Sequence, residues 1–368
     1  MKAWTCALAL MVAALAAAAA AQTIGPYVQN VTQTSAVIHW ATQAGAVNYG
    51  QAGAPVGRVA AYDQHELKLE QLKPGEAYEY EVPGVGKGRF TTAPAPGQSF
   101  TFLVYGDTRT RHDVHQALVG KAMAEKPCFV VNTGDLVSNG ISIVDWEKFF
   151  EINQGLMRNV PYFPCLGNHE RDAAYYFNFF SLPGNERYYS FDWGNVHVAV
   201  LDTSGPALPA RAEPYTYGEL QAWEAGLSKY QDQQLDWLSR DLLANRAAEF
   251  KIVAFHVPLW TAKTSRQEAA AAMRERFHGI FRRYGVDMVF NGHDHYYLHV
   301  VDEGVHHVIT GGGGAPLYDL DAPPADADEV VKMAKIEHYV RVKAAPKQLS
   351  CETVDLSGKV IDSWVISK

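Results

Sequence analysis

Five short segments carry the residues able to do chemistry in this chain: Gly106-Asp107, Gly134-Asp135, Gly167-Asn168-His169-Glu170, His256, and Gly292-His293-Asp294-His295. Each follows an apolar run of strand type, so each should stand at the carboxyl end of a strand, where open α/β sheets bind their ligands. Convergence on one crevice would gather Asp107, Asp135, Asn168, His256, His293 and His295. Carboxylate and amide oxygens with imidazole nitrogens make a mixed hard and borderline donor set, suited to Zn, Mn or Fe. The set is larger than a single tetrahedral catalytic zinc uses. Two cations sharing a carboxylate, for which Asp135 is the candidate, would lie roughly 3.5–4 Å apart, close enough for one hydroxide to bridge them. The glycines agree, because a strand that stops and turns sharply into a ligand position calls for dihedrals that Gly takes readily. A single Gly-Asp pair is a commonplace turn. The weight lies in five segments together, and in His293 and His295 as alternate residues of an extended turn that can present two imidazoles on one side.

The elements that must position these residues follow from the same apolar runs. Phe100 to Tyr105, Cys128 to Val131, Tyr162 to Leu166, Val196 to Leu201, Phe250 to Phe255, Val286 to Phe290 and His306 to Ile309 read as strands buried on both faces. Amphipathic stretches separate them, such as Gln233 to Leu243, where Leu235, Trp237, Leu238 and Leu242 make one helical apolar face. This alternation predicts a layered α/β domain over 98–368. Before it, short alternating runs such as Ala36 to Trp40 and Tyr78 to Val82, separated by Gly, Pro and Asn, predict an all-β sandwich over 23–93. The Pro-rich stretch Thr91 to Gly97 marks the boundary.

Residues 1–21 contain Lys2 and an uncharged run from Ala7 to Ala21 that ends in alanines before Gln22, the pattern of a signal peptide. At about 15 residues the run falls short of the ~20 that span a bilayer. An exported chain, periplasmic or secreted, is therefore expected, with no membrane association once the leader is removed. The net charge of −8 and the lack of any Lys/Arg run argue against a nucleic-acid partner. Cys128, Cys165 and Cys351 remain beyond the leader, an odd and widely spaced number that is no disulfide framework. Cys128 and Cys165 read as small buried hydrophobes, with a bridge between them as the alternative. Trp260, Tyr296 and Tyr297 are either pocket wall or core, and Gly311 to Gly314 either a close backbone approach or a loose turn. His39, His65, His197, His278, His299, His306, His307 and His338 are read as packing or surface residues.

With the five segments in this order, and His256 followed by Val257-Pro258, the chain resembles the calcineurin-like metallophosphoesterases. Leu72 to Tyr80 is similar to the turn and strand of fibronectin type III modules, and Trp40 stands where such modules bury a core aromatic. Together these resemble the purple acid phosphatase-like branch, as do Tyr188 to Asp192, Val200 to Thr203 and Gln234 to Leu242. The resemblance implies an αββα-type catalytic domain hydrolysing phosphate esters at two metal ions. Asp107, Asp135 and His295 would hold the first; Asp135, Asn168, His256 and His293 the second. His169 would be the outer catalytic residue that steadies the phosphoryl oxygens or protonates the leaving alkoxide. Two positions depart from the pattern. Ser138 stands where purple acid phosphatases carry tyrosine, and Arg109 where other branches carry a histidine ligand. His112, His115 or water are the candidates to complete the first site, and Arg109 is a candidate to hold the substrate phosphate. A small phosphorylated substrate, a nucleotide or sugar phosphate, suits an acidic exported enzyme. The rival reading is a surface binding or adhesion protein that retains the fold.

Overall fold

The computed structural model of the chain describes residues 22–49, 57–170, 172–205 and 217–368. The leader expected over 1–21 lies outside the described residues. The N-terminal region is built of strands, as its short alternating runs require. β1 (Thr23–Gln29), β2 (Ala36–Tyr49) and β3 (Gly57–Leu69) form an antiparallel sheet; β4 (Ala77–Val82) and β5 (Gly86–Thr91) form a separate ribbon. Tyr27, Val28, Ile38 and Phe90 from these strands share one continuous hydrophobic core with the following region. Polar contacts reinforce the docking. Tyr27 Oη and Gln29 Nε2 donate to the Phe179 carbonyl at 2.8 and 3.0 Å, and Tyr62 Oη donates to Glu147 at 2.7 Å. Trp40 is half-buried rather than central: its cross-strand partner is the polar His65, on which it stacks at 5.0 Å. The enclosed aromatics are Tyr27 and Phe90.

Beyond Gly97 strands and helices alternate. In chain order come β6 (Phe100–Tyr105), α1 (His112–Glu125), β7 (Val130–Asn132), α2 (Ile143–Met157), β8 (Tyr162–Pro164), α3 (Ala174–Phe179), β9 (Tyr189–Trp193) and β10 (Val196–Val200). There follow α4 (Tyr217–Ala244), β11 (Phe250–Phe255), α5 (Gln267–Tyr284), β12 (Met288–Asn291), β13 (Tyr297–Asp302) and β14 (Val305–Thr310). The chain closes with β15 (Glu329–Ala334), β16 (His338–Ala345), β17 (Gln348–Asp355) and β18 (Val360–Ser367). One sheet has the order β15-β13-β14-β12-β11-β10-β9 and the other β18-β17-β16-β6-β7-β8. The expected strands form the parallel centres of both, β6-β7-β8 and β10-β11-β12-β14, and the expected helical face lies within α4. The antiparallel margins are additions that sequence reading did not locate.

Side-chain alternation explains the four layers. Val198, Val200, Ile252, Ala254, Met288 and Phe290 point into the core between the sheets, while Ala199, Val253, Phe255 and Val289 point outward to Leu238 and Leu242 of α4 and Phe277 and Phe281 of α5. Phe163 of β8 stacks on Phe191 of β9 at 3.8 Å, joining the sheets face to face. Leu118 of α1 and Trp146, Phe149 and Phe150 of α2 belong to the core of the other sheet. No helix among the described residues is long and apolar enough to cross a membrane. Cys128, Cys165 and Cys351 are free thiols, the latter two buried, so the alternative bridge is not formed.

Candidate metal centre

The six candidate ligands follow β6, β7 and β8 of one sheet and β11 and β12 of the other, so the centre lies where the two carboxyl edges meet. The loops are strained in a specific way. Asp107, Asp135 and His293 have φ of 56°, 55° and 68°, a left-handed backbone that costs a non-glycine residue about 1–3 kcal/mol and persists where surroundings enforce it. This corrects the expectation for the glycines. Of the four, only Gly134 has positive φ (97°); the others are needed for space. A Cβ on Gly292 would sit 2.6 Å from Asp107 Oδ2, and one on Gly106 or Gly167 would strike Thr133 or Asp135. Gly311 likewise admits Asp107 Oδ2, and the backbone N–H groups of Gly313 and Ala315 donate to the Gly106 and Asp107 carbonyls at 2.9 and 2.7 Å. The glycine run is thus a close backbone approach.

Asn168, His256, His293 and Asp135 form one group. His256 Nδ1 donates to the Thr133 carbonyl at 2.8 Å, leaving its Nε2 lone pair 3.1 Å from Asn168 Oδ1 and 3.3 Å from Asp135 Oδ1. His293 Nδ1 lies 3.0 Å from the same Asn168 oxygen. Donor atoms bound tetrahedrally to one cation at 2.0–2.1 Å stand about 3.3 Å apart. These separations are those a shared cation imposes, so the residues fit a metal ion. Burial, then the His256 and Arg266 charges, push the His293 pKa down to about 2. Its ring is therefore neutral, as a ligand must be. Burial would raise the Asp135 carboxyl, but His256, His169 and Arg109 hold it below the ordinary value; burial would lower His256, but Asp135 and Asp107 raise it.

Asp107, Asp135 and His295 form the other group, with ligand atoms within 4.8 Å of one another. Asp107 accepts the His293 backbone N–H through Oδ2 at 3.0 Å, while its Oδ1 is buried without a hydrogen-bond partner, 3.4 Å from His295 Nε2. An unpaired buried carboxylate oxygen is costly and marks a place for positive charge. His295 Nδ1 donates to the Pro316 carbonyl at 2.8 Å, which turns Nε2 inward. Arg109 enters the same space: Nε donates to Asp135 Oδ2, and Nη2 lies on His295 Nε2, each at 3.3 Å. The proposed replacements do not. His112 is exposed, and His115 is buried against Asn153, 3.1 Å from its Nδ2. The Ser138 hydroxyl pairs with Thr110 at 3.3 Å.

His169 stands at the mouth, its side chain 26% exposed. Its backbone N–H donates to Asp135 Oδ1 at 3.0 Å and its Nδ1 to the Ser138 carbonyl at 2.7 Å, which leaves Nε2 free, 3.8 Å from Asp135 Oδ2.

Two residues inside the motifs have functions that sequence reading missed. Glu170 is fully buried, and its carboxylate accepts the backbone N–H of Gly167 (2.7 Å), Asp135 (3.0 Å) and Leu136 (2.9 Å), clamping two ligand loops together. Burial and the nearby Asp135 charge push its carboxyl up to about 8. Asp294 points away from its neighbours His293 and His295 to Thr261, Tyr296 and Arg266. The Arg266 guanidinium covers Tyr318 at 5.2 Å, and Tyr318 stacks on His295 at 4.0 Å. For Asp294 the signal was position, since it alternates with the ligands His293 and His295. Trp260, Tyr296 and Tyr297 are core, with Tyr296 Oη donating to Asp294 and Tyr297 Oη to Asp362. A cavity of about 110 Å³ beside Asn168 is lined instead by Leu166, Asp172, Arg187 and Ser204.

The family model described as calcineurin-like phosphoesterase matches residues 100–297, which span every candidate ligand. The chain belongs to this family. It is 27% identical over 296 residues to phosphoenolpyruvate phosphatase of Allium cepa, covering 70% of this chain and 55% of that protein. It is 25% identical over 294 residues to purple acid phosphatase 18 of Arabidopsis thaliana, covering 74% and 62%. The chain thus spans less than two thirds of the length of either relative. Purple acid phosphatase from yellow lupin (Lupinus luteus) seeds superposes with a TM-score of 0.73 at 18% identity, covering 94% of this chain and 74% of that one. The fold, a β-rich N-terminal region followed by the α/β phosphoesterase unit, is therefore that of the purple acid phosphatase branch.

Proposed function

We propose that this chain hydrolyses phosphate esters at a two-cation centre, with Asp107, Asp135 and His295 holding one ion and Asp135, Asn168, His256 and His293 the other. The observation that carries this reading is the Asn168 oxygen lying 3.1 and 3.0 Å from imidazole nitrogens of His256 and His293, the spacing of donor atoms gathered around a shared cation. Bound cations would supply Lewis acidity toward the phosphoryl oxygens and lower the pKa of the attacking water. Zn, Mn or Fe suit the donors, and Ser138 in place of tyrosine removes the coloured tyrosinate.

The chain's own residues do the rest. His169, held through Nδ1, presents Nε2 at the mouth to protonate the departing alkoxide. Arg109 offers a charged fork to a phosphoryl oxygen. Arg187 lines the cavity beside Asn168, its guanidinium paired with Asp172 and Asp202. Small soluble esters such as nucleotides or sugar phosphates match a chain of net charge −8. The leader implies export, with residues 23–93 as a fibronectin-like scaffold for a catalytic unit over 98–368. The test is hydrolysis of para-nitrophenyl phosphate and its bis ester, with and without chelator. Turnover lost on chelation and restored by Mn, Zn or Fe is expected, and the ratio of the two rates separates monoesterase from diesterase. No turnover with any of these ions would favour a binding or adhesion protein on the same fold.

A further inference from the structure

The two cation groups differ in one respect that concerns Arg109. In the Asn168 group the donor atoms face each other directly, and Arg266 is engaged elsewhere, with Asp294 and the His293 carbonyl. In the Asp107 group a guanidinium already occupies two of the three ligands. Arg109 Nε bonds Asp135 Oδ2, and Nη2 bonds the His295 Nε2 lone pair, the nitrogen that remains an acceptor because Nδ1 donates to Pro316. These contacts are sheltered, with the Arg109 side chain 15% and the Asp135 side chain 2% exposed. A cation can take the His295 lone pair only when Nη2 leaves it. Yet Asp107 Oδ1 stays unpaired beside them, so the guanidinium does not satisfy the group.

We propose that Arg109 competes with a cation for the first site: one ion binds tightly in the Asn168 group, and the second enters by displacing the guanidinium, which then takes a phosphoryl oxygen of the substrate. This rests on the two-cation reading above. Releasing a charge-assisted hydrogen bond in a sheltered site weakens the incoming ion by about 10- to 100-fold. Two positive charges forced together there add to the weakening. An anion that receives the displaced guanidinium offsets it, so phosphate and the second cation tighten each other, and by linkage to the same degree.

The experiment is calorimetric titration of chelator-treated chain with Mn(II), with and without inorganic phosphate, for the unaltered chain, Arg109→Ala and Arg109→His. The unaltered chain should bind one tight and one weaker equivalent, the weaker one tightened by phosphate. Arg109→Ala should tighten the second equivalent at least about tenfold and abolish its response to phosphate. Arg109→His, which adds a ligand and removes the charge, should bind it at least as tightly. Retention of the tight equivalent reports an intact fold in both variants. Two equal equivalents in the unaltered chain, or a second equivalent unchanged or weakened in Arg109→Ala, would overturn the proposal while leaving the two-cation reading in place; a single equivalent in the unaltered chain and in both variants at every Mn(II) concentration would refute that reading as well. No binding of Mn(II) at all would likewise refute the two-cation reading on which it stands.

Discussion

Replacing Glu170 with Gln changes one atom of a buried side chain and asks whether charge holds the ligand loops together. Oε2 accepts the N–H groups of Gly167 and Asp135 at 2.7 and 3.0 Å; Oε1 accepts those of Leu136 and Val137 at 2.9 and 3.4 Å. A glutamine has one acceptor oxygen, so in either orientation its NH2 faces two backbone donors. Each buried donor left unpaired costs about 1–3 kcal/mol, giving about 2–6 kcal/mol in all. That is a large part of the about 5–15 kcal/mol that stabilises a typical fold. A drop in Tm on the order of 10 °C follows. The opposing influence is the burial and Asp135 charge that push the carboxyl up to about 8. Below that value the proton is retained and the acid already resembles an amide, so near pH 6 Glu170→Gln should cost less than about 1 kcal/mol. The assay is thermal unfolding at pH 9 in chelator, where the carboxyl is ionised, paired with Mn(II) calorimetry. The account expects the large drop and a weaker tight equivalent, since Asp135 and Asn168 lie in the clamped loops. A variant melting within about 2 °C of the unaltered chain, with unchanged Mn(II) binding, would refute the charged clamp.

Other outcomes follow from the same geometry. His169→Ala should lower kcat on alkyl phosphates by about 10²–10⁴ but reduce para-nitrophenyl phosphate turnover far less, because that leaving group departs without a proton; equal losses would exclude an acid role. Gly134→Ala puts a Cβ 2.7 Å from His256 Nδ1 at a φ of 97°, so it should destabilise the chain by about 1–3 kcal/mol and lower the bound cation, and an unaltered cation content would contradict this. His197, buried between Asp192 and Asp241 at 2.8 Å from each, has its pKa raised to about 9: burial opposes the shift, and hydrogen bonds to both carboxylates outweigh it. Its protonated form therefore contributes up to about 3 kcal/mol below pH 6.5, and this is lost as pH rises toward 9. Denaturant titrations should show the gap between the unaltered chain and His197→Gln closing over that window, and a gap independent of pH would rule out the charged triad.

The ligands were legible because parallel strands buried on both faces write themselves as continuous apolar runs, and the residue after such a run has few places to go. Asp107, Asp135 and His256 needed nothing more. The C-terminal margin was not legible for the converse reason: β17 alternates buried with half-exposed or exposed residues and β18 has only half-exposed and exposed ones, so Gln348 to Asp355 and Val360 to Ser367 carry no such run. Glu170 and Asp294 share the chemistry of ligands; Asp294 is turned away because it lies between His293 and His295, and Glu170 because the turn after Asn168 sends it back to the backbone of Gly167 and Asp135. The assignment of strain to the glycines failed because two glycine functions, positive φ and absence of a side chain, read alike in sequence. Here the first falls on Asp107, Asp135 and His293 themselves. Trp40 misled similarly, since burial of one sheet face depends on a cross-strand partner, His65, that lies distant in sequence.

Anomalous scattering from crystals grown with Mn(II) and phosphate addresses the central claim most directly. Two peaks roughly 3.5–4 Å apart are predicted, flanking Asp135, with one against Asn168, His256 and His293 and the other against Asp107 and His295. Absence of any peak at Asp135, with Asn168 Oδ1 still between the two imidazoles, would contradict the account.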